Sequence, residues 1–213
     1  MIAVTFALPQ ESGDFLHALH HAGRSGDGPF VLGNLGVEEI VVAHTGIGCA
    51  AAEKTVRALL AAHRPRRLIA AGFAGALDPT LRVGDIVEDG LVTRDTAAET
   101  PEAKAKLAGE NGARAVDMET SAIAAVCAEA GVPMQIVRAI SDTAHAPLPI
   151  PFSVSYDLAA QRPRPLAVIR YVLDHPETAI PLGFFIRDLA TARAALARRL
   201  LEICGQPNWD RQP

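Results

Sequence analysis

The chain has 213 residues, of which 49% are hydrophobic and 21% charged, and its formal net charge is -4. These values are typical of a folded protein with a sizeable core and exclude an intrinsically disordered chain. Because no basic stripe accompanies this balance, we expect no nucleic-acid partner. Three cysteines without paired spacing predict reduced thiols. The sequence shows neither a basic leader nor an apolar run of about 18 residues. Together with the reduced thiols, this predicts a soluble, cytoplasmic protein.

Strands and helices are predicted to alternate in the first half of the chain. A buried strand ends at Leu8 and a short helix follows from Pro9 to His20. A turn-rich break and a hairpin come next. The clearest unit then consists of a strand, a glycine turn, a helix and a second strand, at residues 40–43, 45–48, 49–63 and 68–71. This βαβ pattern predicts a parallel or mixed sheet.

Polar residues in the second half lie where predicted strands end and helices begin. The predicted elements are a small-residue loop (72–77), a strand (81–93), a helix (101–108), a helix from Glu119 to Gly131, a strand (135–140) that ends on Ser141 and Asp142, and two closing helices (166–173 and 186–203). Neither an internal repeat nor a linker is visible. We therefore expect one domain over residues 1–213, with a C-terminal helical extension from about residue 153.

Two motifs suggest a cofactor or a metal, and neither is complete. Residues 46–51 fit the G-x-G-x-x-G/A dinucleotide fingerprint, but the next strand lacks the acid that would hold the ribose. His17, His20 and His21 have helical spacing suitable for a metal pair, yet no cysteine or carboxylate pair accompanies them. A solvated helix face is the favoured interpretation of these histidines. We expect neither a cofactor nor a metal.

Three acids form the strongest candidate site. Glu11, Glu119 and Asp142 each lie just past an apolar strand or at a helix start, so all three are expected to face one pocket. Any one alone is more often a cap or a solvated carboxylate, and Asp117 is such an N-cap candidate. Clustered carboxylates raise one another's pKa, which suits a general acid beside a general base.

A series of motifs recurs in the order of a known family. It comprises residues 8–11, 45–48, 71–77, 83–87, 116–119 and 138–142. This series resembles the purine nucleoside phosphorylase and methylthioadenosine nucleosidase superfamily, over roughly residues 1–145. The resemblance implies a three-layer α/β/α sandwich with a twisted mixed central sheet, assembled as a homo-oligomer, that acts on a small-molecule nucleoside.

The resemblance also implies roles in cleaving an N-ribosidic bond. Glu119 would bind the ribose hydroxyls, and Met118 would pack on the sugar. Asp142, oriented by Ser141, would protonate N7 of the leaving base, and Glu11 would position or deprotonate the attacking water. Aspartate at 142, where members that act on 6-oxopurines carry asparagine, implies selectivity for adenine. The resemblance further places these residues in the substrate pocket: Gly72, Phe73, Ala74 and Val116.

Hydrolysis is favoured over phosphorolysis. Phosphorylases of the family clamp phosphate with an arginine before the small-residue loop and a serine within it, whereas this chain has neither. Glu11 likewise replaces a phosphate-binding arginine, so a phosphate would lack its bidentate partner. Two alternatives stay open. One is a phosphate-dependent phosphorylase that uses other residues, and the other is a non-catalytic ligand-binding protein on a degenerate nucleosidase fold.

The chain departs from typical nucleosidases in two segments. The first, between Leu91 and Val116, is short, so a partner subunit or a loop around Arg94 must complete the base pocket. The second is the tail, where residues 147–151, 162–165 and 182–200 resemble the hopanoid-associated branch, which removes adenine from adenosylhopane. Residues 147–152 and 182–185 of this tail form an apolar lip. This lip would receive the hydrocarbon body of a lipid-linked substrate and allow transient membrane-surface contact. Alternatively, these residues pack a terminal helix or an oligomer interface.

Overall fold

A computed structural model describes residues 1–26 and 28–205. Its centre is a nine-stranded sheet, and a two-stranded hairpin lies apart from it. The sheet strands are β1 (Ile2–Phe6), β2 (His20–Arg24), β3 (Val31–Leu35), β4 (Glu38–His44), β5 (Leu68–Ala76), β6 (Ile86–Val87), β7 (Leu91–Thr93), β8 (Ala115–Asp117) and β9 (Met134–Asp142). The hairpin strands are β10 (Tyr156–Asp157) and β11 (Arg162–Pro163).

The central sheet is mixed. Its middle strands, in the order β4-β1-β5-β9, pair in parallel. At one side β2, β3 and β4 pair antiparallel, and at the other β8 pairs antiparallel to β5 and parallel to β7. Strand β6 adds to β9 in the antiparallel sense. Since parallel strands point the same way, the carboxyl ends of β1, β4, β5 and β9 lie at one edge of the sheet.

Helices cover both faces of the sheet. They are α1 (Pro9–Ala18), α2 (Cys49–His63), α3 (Pro101–Asn111), α4 (Thr120–Ala130), α5 (Phe152–Ser155), α6 (Pro165–Asp174) and α7 (Ala179–Gly205), and a 3-10 turn spans Pro176–Thr178. In β1, Val4 packs with Phe15 of α1 and Leu196 of α7, whereas Ala3 packs with the α2 and α4 side chains, including Val56. Burial on both faces explains why β1 is apolar at every position except Thr5. The predicted α/β/α fold with a mixed sheet is confirmed.

The predicted small-residue loop at 72–77 is instead mostly strand. Strand β5 continues to Ala76 because Phe73 and Ala74 pair with β9, and Gly75 and Ala76 pair with β8. Glycine inside a strand often marks a place where another backbone approaches closely. Here neighbouring strands flank the segment on both sides, and small residues let them approach.

Two other predicted elements differ from the structure. Helix α1 ends at Ala18, so His20 and His21 lie on β2, and these histidines do not share a helix face. The single strand predicted over 81–93 is two short strands, β6 and β7, separated by a turn in which Gly90 has a φ of +64°. Within residues 1–26 and 28–205, no helix is both long and apolar enough to cross a bilayer.

Candidate active site

A cavity of about 370 Å³ lies at the carboxyl ends of the parallel strands. Its wall includes Glu11 after β1, Ile47 after β4, Phe73 on β5, and Ser141 and Asp142 at the end of β9. Ligands of open α/β sheets bind at this edge, where loops and helix starts bring polar groups together. The topology therefore gathers residues that are far apart in the sequence.

Glu11 is buried in the first turn of α1. Its Oε2 accepts a hydrogen bond from Leu8 N at 2.8 Å, and its Oε1 accepts one from Phe73 N at 3.0 Å. Burial raises the pKa of Glu11, and the backbone N–H groups and the charge of Arg138 only partly oppose this effect. A carboxyl group with a raised pKa, fixed at both oxygens, is suited to take a proton from water near neutral pH.

Glu119 lies just before α4 and is also buried. Its Oε1 accepts a hydrogen bond from Gly48 N at 2.8 Å, which joins the start of α2 to the start of α4. Burial raises the pKa of Glu119 to about 7, against the opposing charge of Arg138. Both protonation states are therefore populated at neutral pH, and the group can donate a hydrogen bond to a sugar hydroxyl or accept one.

A buried ion pair supports Glu119 from behind. Arg138 Nη2 lies 2.6 Å from Asp117 Oδ2 and 3.9 Å from Glu119 Oε2, and it donates to Thr120 Oγ1 at 3.0 Å. Asp117 also accepts from Thr120 N at 3.1 Å and from Thr93 Oγ1 at 2.8 Å. Asp117 thus caps the first turn of α4 with its side chain. A buried ion pair is tolerated where such additional hydrogen bonds satisfy it.

Asp142 terminates β9 with both carboxylate oxygens engaged. Oδ1 lies 2.6 Å from Ser141 Oγ, and Oδ2 lies 2.5 Å from Lys104 Nζ. The carboxylate also approaches the backbone of Gly75 so closely that a Cβ at that position would lie 3.1 Å from Oδ2. The position of this carboxylate is therefore fixed by β5, by β9 and by a lysine from α3.

The short segment between β7 and β8 contributes to the cavity wall. Residues 96–98 form part of the wall, whereas Arg94 does not and instead lies 3.6 Å from Glu110. Glu99 then ties this segment to the apolar lip, because its carbonyl accepts from Leu148 N at 2.8 Å and its Oε1 accepts from Phe152 N at 2.7 Å. The loop around Arg94 thus contributes to the cavity through residues 96–98 and not through the Arg94 side chain.

One side of the cavity is apolar and the other acidic. The apolar side consists of Leu148, Pro149, Ile150, Phe152, Val168, Leu182, Phe185 and Leu189. The acidic side carries the carboxyl groups of Glu11, Glu119 and Asp142, and Asp117 also borders it with its side chain fully buried against Arg138. Among the described residues that line this wall, none is lysine, arginine or histidine. The cavity accordingly presents carboxyl groups to a polar ligand and hydrocarbon to an apolar one.

Gln161 fastens the hairpin of β10 and β11 to the turn before α2. Its Nε2 donates to Ile47 O at 2.8 Å, and its Oε1 accepts from Ile47 N at 2.8 Å and from Tyr156 Oη at 3.2 Å. Gly46 permits this approach, since a Cβ there would lie 2.5 Å from Gln161 Oε1. The hairpin thereby holds Tyr156, a cavity residue, beside the turn.

A family model described as the phosphorylase superfamily matches residues 1–87 and 91–202 of the chain. The chain belongs to this superfamily. A 5'-methylthioadenosine/S-adenosylhomocysteine nucleosidase of Shewanella halifaxensis is 26% identical over 176 residues, covering 58% of this chain and 76% of that protein. This relative is a nucleosidase, and the motifs predict a nucleosidase or a nucleoside phosphorylase.

Solved structures of the same superfamily share the fold. The 5'-methylthioadenosine/S-adenosylhomocysteine nucleosidase of Neisseria meningitidis in complex with methylthio-immucillin-A has a TM-score of 0.70, at 21% identity, over 95% of this chain and 97% of that one. The corresponding nucleosidase of Colwellia psychrerythraea in complex with adenine has a TM-score of 0.70, at 19% identity, over 96% of this chain and 94% of that one. Likeness at this level of identity concerns the fold alone.

Within this superfamily fold, the nine predicted site residues fall into two groups. Gly72 does not line the cavity; it lies behind the wall, against the side chains of Arg138 and Glu11. A Cβ at residue 72 would collide with the Arg138 guanidinium, so this glycine makes room for the buried arginine. The other eight line the cavity: Glu11, Phe73, Ala74, Val116, Met118, Glu119, Ser141 and Asp142.

Three residues that support the site were not among the predicted ones: Lys104, Arg138 and Gln161. Arg138 carries a signal, because a charged residue inside the apolar strand β9 must find a buried partner. Lys104 carries none, since it lies in a helix rich in alanine, lysine and glutamate that is typical of a solvated surface. Gln161 lies in the exposed turn 158–161 and is equally unmarked.

Proposed function

We propose that this protein hydrolyses the N-ribosidic bond of an adenosine-type nucleoside and releases adenine. The observation that carries the proposal is a cavity wall with three carboxyl groups, those of Glu11, Glu119 and Asp142, and, among its described residues, no basic side chain. Such a wall stabilises an oxocarbenium-like sugar and disfavours a phosphate dianion. The nucleosidase relatives support the same reaction class.

Each acid has a role that its surroundings support. Glu11, with its raised pKa, takes a proton from the attacking water. Glu119 binds the ribose hydroxyls, and Met118 packs on the sugar. Asp142, held by Ser141, faces the base and delivers the proton to N7. These roles need no resident metal or cofactor.

Adenine release from 5′-substituted adenosines, with and without phosphate, tests the proposal. We expect release that does not depend on phosphate, with adenine and the free ribose derivative as products. Release only with phosphate would favour the phosphorylase alternative and would contradict the argument from the acidic wall. No release from any substrate would favour a non-catalytic binding protein.

The substituent on the ribose 5′ carbon is an apolar group of lipid size, as in adenosylhopane. The apolar side of the cavity supports this assignment, because hydrocarbon burial contributes about 25 cal/mol per Å² and a small polar substituent would leave the lip unused. We expect catalytic efficiency to rise with the length of an apolar 5′ substituent. Phe185→Asp should remove this dependence, and Phe184→Asp, whose side chain does not line the cavity, is the matched control.

A lipid-linked substrate also calls for contact with a membrane surface. Helix α6 and the first half of α7 carry six large apolar side chains that are each more than half exposed: Leu166, Ile169, Leu173, Ile180, Phe184 and Ile186. The same two helices supply Val168, Leu182 and Phe185 to the cavity wall. Exposed Arg170 and Arg187 lie on these helices and pair with Asp174 and Asp188, and the phosphates of an anionic lipid surface would compete with these acids for the two arginines.

Sedimentation with vesicles that contain an anionic phospholipid tests this contact. We expect wild-type protein to sediment with the vesicles, Phe184→Asp to weaken this binding, and Phe185→Asp to leave it unchanged. Self-association lost in Phe184→Asp would instead assign the face to a second copy of the chain. We further propose that the protein is a homo-oligomer, that residues 1–213 form one domain and that its location is cytoplasmic. Sedimentation velocity, limited proteolysis and cell fractionation, respectively, test these three points.

A further inference from the structure

Lys104 is a fully buried lysine that lies behind the cavity wall. Its side chain is fully buried, and its ammonium donates to Asp142 Oδ2 at 2.5 Å, Thr143 O at 2.7 Å and Ala146 O at 2.9 Å. All three N–H groups are therefore used. Burying an ammonium costs several kcal/mol unless it is fully paired, so the chain stabilises a cation at the one acid that faces the leaving base.

The surroundings of Asp142 bear on where the transferable proton lies. Oδ1 is in contact with the Ser141 hydroxyl and Oδ2 with the Lys104 ammonium, so both oxygens act as hydrogen-bond acceptors in this arrangement. A general acid must nevertheless deliver a proton. The proton nearest to the carboxylate that an acid–base group can release is on Lys104 Nζ.

We infer that Lys104 is a positioning residue that supplies, through Asp142, the proton taken up by the leaving adenine. The inference rests on the proposed nucleosidase activity. As the bond between C1′ and the base breaks, the Nζ–H bond breaks and an O–H bond forms on Asp142, which passes its proton to N7. The oxygen of the attacking water bonds to C1′, and this water loses a proton to Glu11. After the products leave, solvent returns a proton to the Lys104–Asp142 pair, and Glu11 releases the one that it gained.

Two leaving groups separate this role from a purely structural one. Adenine needs a proton to depart, whereas the nitrophenolate of a para-nitrophenyl riboside with the same 5′ substituent does not. For Lys104→Met we expect kcat for the adenosine substrate to fall about 10²-fold or more. We expect KM, and the rate with the nitrophenyl riboside, to stay within about threefold of wild type. Lys106→Met, an exposed lysine of the same helix, is the matched control.

Equal losses with both leaving groups, or no loss with either, would overturn the inference. If Lys104→Met does not fold, Lys104→Gln keeps donors for the two carbonyls and lacks the transferable proton, and we expect the same pattern from it. With the adenosine substrate alone, a raised KM together with an unchanged kcat would contradict the relay. A wild-type protein inactive on both substrates would instead refute the proposed function, and the two failures are thus distinguishable.

Discussion

The raised pKa of Glu119 gives the protein a specific dependence of stability on pH. Burial raises this pKa from an ordinary value of 4.5 to about 7, so the folded state binds the proton more tightly than the unfolded state. The resulting stabilisation is fully present below pH 4.5 and is lost as the pH rises through 7. The pKa difference corresponds to about 3 kcal/mol, of which about 2.5 kcal/mol falls between pH 5 and pH 8.

Glu119→Gln removes this titration and keeps an oxygen that can accept from Gly48 N. We expect its free energy of unfolding, relative to wild type, to rise by about 2–3 kcal/mol from pH 5 to pH 8, as measured by urea denaturation. Glu129→Gln is the control, because that exposed carboxylate on α4 has its pKa lowered by Arg57 and should not show this trend. A stability difference for Glu119→Gln that does not vary with pH would refute the reasoning from burial.

Three further substitutions test the ion pairs and the backbone of the site. Asp142→Asn should lower adenine release by about 10²-fold or more, because the leaving base loses its acid, and an unchanged rate would remove this mechanism. Arg138→Met leaves Asp117 buried without its cation and should cost about 3–5 kcal/mol in urea denaturation, whereas Arg57→Met, at an exposed pair, should cost about 1 kcal/mol or less. Gly46→Ala should cost about 1–3 kcal/mol from its φ of +79° alone. It should cost more than Gly36→Ala, which has positive φ but no neighbouring atom within contact range, and equal costs would contradict the close approach of Gln161.

The sequence predicts best those elements whose signals are local. The apolar run of β1, the alanine-rich helix α2 and the strand β9 each lie close to their predicted positions, because length and apolar pattern distinguish them. The second half of β5 was unpredictable for a physical reason. Its glycines and alanines form a strand only because residues 115–116 and 139–140 pair with them, and no local window contains those partners.

The same contrast applies to the candidate site. Glu11, Glu119 and Asp142 are recognisable because each follows or precedes an apolar element, and the topology brings such positions to one edge. Lys104 is not recognisable, because its partner Asp142 lies 38 positions away and its own helix has the composition of an exposed surface. A buried lysine is identified by what surrounds it in space, and this information is absent from the local sequence.

The distribution of charge around the cavity links stability to the proposed chemistry. Two buried cations, Arg138 and Lys104, contact Asp117 and Asp142 from behind the wall, so the protein offsets part of the cost of burying these carboxylates. Neither cation lines the cavity, so the surface that a ligand meets remains acidic. A phosphorylase needs the opposite arrangement, with its cation facing the ligand to hold phosphate. Placing the cations behind the carboxylates therefore favours a cationic sugar and water as nucleophile.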